Sequence, residues 1–303
     1  GRDWLFGEGG DDTLNGGLGV DTLVGGLGDD IYYVDSKADR VSEQQGQGID
    51  KVFASASYTL SSNVENLQLQ EGGNFTAGGN SLDNHLTGNS GNNLLAGGLG
   101  ADILEGGLGD DIYVLSDSLD TIIDTGGIDT IRSNQDIVLI NDIENADLVG
   151  VSDSVAAGNG LDNLLSGNMA DNILDGLGGV DTLTGGQGSD TFILVSNGED
   201  VEADLITDFQ AGEDLAVIDL LSFDVSPELL GLLSSGLVSE DAFVSGAGAA
   251  AMDPNDHYLH DTAQGVLKFD VDGSGDAEAI VVARIQLDDD SDELGAGDVF
   301  VGI

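Results

Sequence analysis

Residues 97–105 read GGLGADILE and residues 106–114 read GGLGDDIYV, so one nine-residue pattern occurs twice in succession. The shared template is GGxGxDxUx, in which U is an apolar residue. Full copies in the same register fill residues 7–33, 79–114 and 158–193, and residues 1–6 match the end of a further copy. A repeat of fixed length is typical of a solenoid, in which successive copies stack on one another.

Each copy combines a short strand with a glycine-rich turn. In the three residues xUx, the U side chain faces inwards and its two neighbours face outwards. The GGxGxD segment then reverses the chain, which requires the positive φ angles that glycine adopts readily. Two copies make one turn of 18 residues, and successive turns pair as parallel strands about 4.8 Å apart. The sequence therefore predicts an all-β chain that forms a right-handed parallel β-roll (a β-solenoid) and ends in a β-rich capping domain.

The sixth position of every copy carries aspartate or asparagine, and sixth positions one turn apart lie side by side. Two carboxylates about 4.8 Å apart repel by about 3.5 kcal/mol at an effective dielectric of about 20. A cation between them removes this repulsion, and turn carbonyls add the oxygen ligands that Ca²⁺ prefers. We predict several Ca²⁺ ions, about six or more, whose binding is coupled to folding. The predicted ligand pairs are Asp3 with Asp21, Asp12 with Asp30, Asn84 with Asp102, Asn93 with Asp111, Asn163 with Asp181, and Asn172 with Asp190. The neutral asparagines are expected to make weaker half-sites.

The composition agrees with a cation-binding chain and excludes several other classes. With 57 acidic and 7 basic residues the formal net charge is −50, which disfavours nucleic acid and anionic lipid as partners. The chain has no cysteine, so thiolate metal sites and disulfides are excluded. No apolar stretch is long enough to span a bilayer, and membrane insertion is not expected.

The regions outside the repeats also carry patterns. Residues 48–50 and 127–129 both read Gly-Ile-Asp, so the segments between the blocks are interpreted as irregular continuations of the solenoid. Residues 204–219, DLITDFQAGEDLAVID, favour paired strands, and Ser226-Pro227-Glu228 favours the start of a short helix. The predicted organisation is repeat block 1 at 1–33, connection 34–78, block 2 at 79–114, connection 115–157, block 3 at 158–193 and a C-terminal domain at 194–303.

The template resembles the calcium-binding repeat of RTX (repeats-in-toxin, hemolysin-type) proteins. The motif DxIxDFxxGxD at residues 204–214, with the ending DVFVGI at 298–303, resembles the C-terminal domain of RTX proteins exported by type I secretion. The resemblance implies a secreted, extracellular bacterial protein whose uncleaved C-terminal signal is recognised by the type I secretion machinery. Deleting residues 294–303 is then expected to block export while leaving calcium-induced folding intact.

No HExxH or GxSxG motif and no other catalytic constellation is visible, so we predict that the chain is not itself an enzyme. Two alternatives stay open. In the first, the chain is a polysaccharide-binding or cell-surface-binding module or an adhesin tail. In the second, it is the C-terminal part of a secreted protease, lipase or alginate epimerase whose catalytic domain is missing. The outward seventh and ninth positions show no repeating aromatic residue, which disfavours polysaccharide binding.

Overall fold

The computed structural model describes residues 1–195, 203–219, 236–270, 273, 279–288 and 293–302. The chain forms two compact units, Gly1–Ser133 and Asn134–Ile303. The short helix predicted to start at Ser226 lies outside the described residues.

The first unit is built from short strands. They are β1 (Trp4–Gly9), β2 (Thr13–Asn15), β3 (Thr22–Leu27), β4 (Ile31–Val34), β5 (Arg40–Val41), β6 (Lys51–Ala54), β7 (Tyr58–Thr59), β8 (Asn66–Leu69), β9 (Thr76–Gly78), β10 (His85–Thr87), β11 (Leu94–Ala96), β12 (Ile103–Glu105), β13 (Ile112–Leu115), β14 (Thr121–Ile123) and β15 (Thr130–Ser133). Strands β1, β3 and β5 form one sheet, the even-numbered strands from β2 to β14 form a second, and β7, β9, β11, β13 and β15 follow one another in a third.

Neighbouring strands in these sheets are parallel and lie one turn of the solenoid apart. Leu95 of β11 pairs with Tyr113 of β13, and Leu86 of β10 pairs with Leu104 of β12. All four are eighth-position residues with 0% exposure. The predicted parallel β-roll is therefore confirmed, because the three-residue xUx strands stack with their U side chains inside.

The second unit contains the remaining described strands. They are β16 (Ile137–Val138), β17 (Asn145–Leu148), β18 (Val155–Ala157), β19 (Leu164–Ser166), β20 (Ile173–Asp175), β21 (Thr182–Thr184), β22 (Thr191–Leu194), β23 (Asp204–Phe209), β24 (Leu215–Asp219), β25 (Gly236–Leu237), β26 (Phe243–Gly246), β27 (Tyr258–Asp261), β28 (Val266–Phe269), β29 (Ile280–Leu287) and β30 (Val299–Gly302). Two short 3-10 turns, Glu240–Ala242 and Ala296–Asp298, complete the regular structure of the described residues.

The C-terminal segment extends the second unit in two ways. Strands β23 and β24 pair in parallel with β21 and β22, the last strands of the third repeat block. Strand β30 then adds in parallel to β24, whereas β27, β28 and β29 form an antiparallel meander that joins β23 through β29. The apolar core continues through both additions, since Ile206, Phe209, Ile218 and Val299 are fully buried.

The segments between the repeat blocks also form strands of the solenoid. Strands β5 to β9 lie in the connection after the first block, and β6 pairs in parallel with β4 of that block and with β8. Strand β14 pairs in parallel with β12 of the second block. These strands lack the complete GGxGxD turn, so the roll continues beyond the repeats that fit the template.

Candidate metal centres

A ladder of side chains joins successive turns through the sixth position of each repeat. The backbone N–H of the sixth-position residue in one turn donates to Oδ1 of the sixth-position aspartate in the next turn. The predicted pairs all make this contact: Asp3 to Asp21 (2.7 Å), Asp12 to Asp30 (2.7 Å), Asn84 to Asp102 (2.7 Å), Asn93 to Asp111 (2.6 Å), Asn163 to Asp181 (2.8 Å) and Asn172 to Asp190 (2.8 Å). The structure therefore brings together every predicted pair.

Most of these side chains are removed from solvent. Ten of the twelve predicted residues are buried, with Asp111 at 0% exposure, whereas Asp12 is half-buried and Asp3 is exposed at the start of the chain. A carboxylate loses its hydration when it is buried, so each oxygen needs a hydrogen bond or a cation in exchange.

The second carboxylate oxygen of this ladder is left without a hydrogen bond. Among the described residues, buried Oδ2 atoms with no hydrogen-bond partner occur at Asp12, Asp21, Asp30, Asp50, Asp102, Asp111, Asp120, Asp181 and Asp190. A row of buried oxygen atoms without donors is what a chain of cation sites requires. Nitrogen and sulfur ligands are absent from this row, which favours a hard cation such as Ca²⁺.

The turn geometry shows where such a cation would lie. A Cβ atom placed on Gly7 would lie 2.6 Å from Oδ2 of Asp12 and 2.6 Å from the carbonyl oxygen of Gly25. A carboxylate oxygen and a backbone carbonyl oxygen from the next turn therefore converge on one point beside the first glycine of the repeat. Carboxylates together with backbone carbonyls are the ligand set of Ca²⁺ sites, so these residues fit the ion.

Glycine in the turn has a second, conformational role. Gly107 and Gly109, the second and fourth residues of one repeat, have φ angles of +107° and +103°. A Cβ at Gly107 would also lie 2.5 Å from the carbonyl oxygen of Asn89 in the preceding turn. Any larger residue would be strained and would push the turns apart.

Burial raises the pKa of several carboxyl groups in the ladder. Desolvation by burial raises the pKa of Asp102, Asp111 and Asp190 to about 6 and that of Asp181 to about 7, and neighbouring carboxylates act in the same direction. Raised carboxyl pKa values identify acids whose charge lacks compensation within the protein. A bound divalent cation would provide that compensation.

The ladder extends further than the repeat pattern indicated. Oδ1 atoms of six aspartates outside the nonapeptides accept the corresponding backbone N–H groups: Asp39, Asp50, Asp120, Asp129, Asp204 and Asp214. Each stands directly before a strand, or at its first residue, in an xDxU context without the complete GGxGxD motif. This pattern, read 18 to 24 residues after a repeat aspartate, is the signal that could have revealed them.

The four sixth-position asparagines behave differently from the aspartates. Oδ1 of Asn93 accepts the N–H of Asn89 at 2.7 Å, and Nδ2 of Asn93 donates to Oδ1 of Asn89 at 3.1 Å. The same acceptor bond to the second residue of the repeat occurs at Asn84, Asn163 and Asn172. Both ends of each amide are therefore engaged within the protein.

The residue at the second position of these copies explains why their sixth-position asparagines form hydrogen bonds that the aspartates do not. Where the sixth residue is asparagine, the second is asparagine too, in place of glycine: Asn80, Asn89, Asn159 and Asn168. Nδ2 of Asn80 donates to the carbonyl oxygens of Ser61 and Val64, both at 2.7 Å. A pair of amides thus closes each GNxxxN turn by hydrogen bonds.

Comparison with known proteins agrees with this geometry. A family model described as the RTX calcium-binding nonapeptide repeat (4 copies) matches residues 1–32, 78–113 and 157–192. The chain is also 46% identical over 56 residues to endo-1,3-1,4-beta-glycanase ExsH of Rhizobium meliloti (strain 1021); the aligned part is 18% of this chain and 12% of that relative. Within the described residues, no helix has the length and apolar character needed to cross a membrane. The three blocks of this chain are therefore RTX calcium-binding nonapeptide repeats, folded as a parallel β-roll.

Proposed function

We propose that the chain is a calcium-folded module that supports type I secretion of a larger extracellular protein and is not itself catalytic. Its RTX repeats make it a calcium-binding β-roll. The observation that carries the proposal is the row of buried Oδ2 atoms without hydrogen-bond donors, at Asp102 and Asp111 among others. These charges oppose stacking of the turns when no cation is present, so Ca²⁺ binding and folding are coupled.

Circular dichroism of the whole chain tests this coupling. In chelator the β signal should be weak, and it should rise cooperatively in millimolar Ca²⁺. Mg²⁺ should substitute poorly because it requires stricter octahedral geometry and dehydrates reluctantly. An identical spectrum and identical thermal stability with and without chelator would contradict the proposal.

The secretion role follows from where calcium is available. Free Ca²⁺ is scarce inside a cell, and extracellular calcium modules typically bind at about 10⁻⁴–10⁻³ M. With a formal net charge of −50, the metal-free chain repels itself and stays unfolded, which suits passage through a channel. Outside, Ca²⁺ stabilises the folded roll by mass action and disfavours return.

The proposed export signal coincides with a strand of the fold. Strand β30 lies between β24 and β25, and its Val299 and Val301 are buried. Deleting residues 294–303 would therefore remove a core strand as well as the signal. The expectation that this deletion leaves folding intact does not fit the packing of β30.

A matched variant separates these two effects. Ile218 of β24 pairs with Val301 and is fully buried, so Ile218→Asp disrupts the same contact while keeping the terminal residues. In cells that carry a type I system, the truncated chain should stay inside, whereas Ile218→Asp should be exported and then fold poorly in Ca²⁺. Export of the truncated chain, or retention of both variants, would contradict a linear signal.

A second candidate function is polysaccharide binding on the outer face of the roll. Trp4 and Phe6 of β1 are 66% and 63% exposed, and their rings stack with centroids 6.3 Å apart. Exposed aromatic rings of this kind can stack on sugar rings, and a relative carries the name of a glycanase. Titration with mixed-linkage β-glucan should quench the fluorescence of Trp4, the single tryptophan of the chain. An unchanged emission spectrum would exclude this candidate.

A further inference from the structure

The turn that follows each repeat block has an acidic residue where the repeats have their first glycine. The residues are Glu43, Asp124 and Asp208. Each stands two positions after an apolar residue that pairs with an eighth-position leucine of the block, as Ile122 pairs with Leu104. Because the first glycine lies beside the cation position, a side chain at this place points towards the last site of the block.

Hydrogen bonds confirm that these acids reach back to the block. Glu43 Oε1 accepts the N–H groups of Gly25 and Gly26 at 3.0 and 3.3 Å. Asp208 accepts the equivalent N–H groups of Gly185 and Gly186 at 2.9 and 2.8 Å. The segments after the blocks thus contribute directly to the last turn of the repeats.

The arrangement is most complete after the second block. Asp111, Asp124 and Asp129 each offer a carboxylate oxygen, and these oxygens all lie within 4.8 Å of one another. Asp111 and Asp129 are fully buried and Asp124 is half-buried. Oδ2 of Asp111 has no hydrogen-bond partner, so a buried carboxylate with an unpartnered oxygen lies in a cluster with two further acids.

A tyrosine holds the added acid in place. The hydroxyl of Tyr113 donates to Oδ1 of Asp124 at 2.8 Å and accepts the N–H of Gly106 at 3.1 Å. Gly126 donates its N–H to Oδ2 of Asp124 at 2.8 Å. Each carboxylate oxygen has two acceptor sites, so these bonds orient Asp124 and leave it able to bind a cation.

We infer that Asp111, Asp124 and Asp129 form a three-carboxylate Ca²⁺ site that closes the second repeat block. Two of its ligands, Asp124 and Asp129, lie outside the residues matched by the repeat family. The inference rests on the proposed calcium-dependent fold and adds a site to it. Affinity follows the charge of the ligands, so this site fills at lower Ca²⁺ than a glycine-turn site with fewer carboxylate ligands. The same composition recurs at Asp30, Glu43 and Asp50, each with a buried oxygen that lacks a hydrogen-bond partner.

The test compares Asp124→Asn with Asp142→Asn in the full chain. Both changes remove one negative charge, but Asp142 is exposed and lies outside the second repeat block. Its φ angle of 70° is one that asparagine adopts equally well, so Asp142→Asn should not strain the backbone. Bound Ca²⁺ is counted by native mass spectrometry, and Tb³⁺ is used as a luminescent substitute that excited tyrosine sensitises. Tyr113→Phe removes the sensitising group beside the site and identifies its share of the emission.

The expected result is that Asp124→Asn binds one Ca²⁺ fewer at limiting calcium and loses the Tb³⁺ emission that depends on Tyr113. Asp142→Asn should match the wild-type chain in both measurements. An unchanged ion count and unchanged emission in Asp124→Asn would overturn the inference while leaving the calcium-dependent fold standing. If the wild-type chain bound no Ca²⁺, the proposed function itself would fail.

Discussion

Asp111 accepts the backbone N–H of Asn93 through Oδ1 at 2.6 Å, while its Oδ2 has no hydrogen-bond partner among the described residues. One oxygen therefore connects two turns of the roll, and the other faces the glycine turn. The hydrogen bond requires the turns to stack, but stacking brings buried carboxylates together. The same residue thus favours and opposes folding, and a cation at Oδ2 decides the balance.

Aspartate and asparagine turns should respond differently to substitution. Asp21→Ala removes a buried carboxylate whose Oδ2 lacks a hydrogen-bond partner, so the chain should bind fewer Ca²⁺ ions and its Ca²⁺ midpoint should rise on the order of tenfold. Asn93→Ala removes two hydrogen bonds to Asn89, so it should cost about 1–3 kcal/mol of stability with the ion count unchanged. Ion counting and thermal melts measure the two effects. Equal loss of ions in both variants would contradict this difference between aspartate and asparagine turns.

The first glycine of a repeat should tolerate no side chain when calcium is bound. Gly7→Ala places a Cβ at the convergence of Asp12 Oδ2 and the Gly25 carbonyl oxygen, both at 2.6 Å, and should reduce Ca²⁺ binding at that turn. Gly9→Ala, two residues along the same strand, puts its Cβ 3.6 Å from Leu27 in ordinary contact. Calorimetric titration should therefore distinguish the two alanines. Identical isotherms would place the cation elsewhere.

The metal-free roll should become more stable on acidification. Burial raises the pKa of Asp102 to about 6 and that of Asp181 to about 7, whereas an unfolded aspartate titrates near pH 3.9. Between these values the folded chain binds more protons than the unfolded chain, so this contribution is complete below about pH 3.9 and is lost as pH rises through about 6 to 7. In chelator, the β signal should be stronger at about pH 5 than at about pH 8. A weaker signal at the lower pH would contradict this prediction.

The inward and outward residues of one strand should differ in their contribution to stability. Leu104 is fully buried, and Leu104→Ala should destabilise the calcium-loaded chain by about 2–5 kcal/mol because it leaves a cavity between turns. Its neighbour Ile103 is 38% exposed, so Ile103→Ala should cost much less. Chemical denaturation in saturating Ca²⁺ measures both. Similar losses would contradict the register of β12.

The sequence by itself determined the features of this protein that depend on the constant length of the repeat. The nine-residue period sets the three-residue strand, the 18-residue turn and the inward leucines such as Leu95 and Leu104, because each depends only on local alternation and on stacking of identical copies. It also placed Asp102 beside Asn84 and Asp111 beside Asn93 in the ladder. These relationships need no knowledge of the rest of the chain.

Only the tertiary structure decided two kinds of relationship. In one, the number of residues between successive ladder aspartates varies; in the other, a side chain's hydrogen-bond partners lie in a different turn. Asp50 joins the ladder 20 residues after Asp30, and Asp214 joins it 24 residues after Asp190, since the intervening loops differ in length. Whether an asparagine amide at the sixth position is satisfied depends on carbonyl groups of another turn, as at Asn84, whose Nδ2 donates to the carbonyl oxygens of Val64 and Glu65. The position of Asp124 beside Asp111 likewise arises from the stacking of turns, because a side chain's neighbours across a sheet are set by strand register and not by distance along the chain.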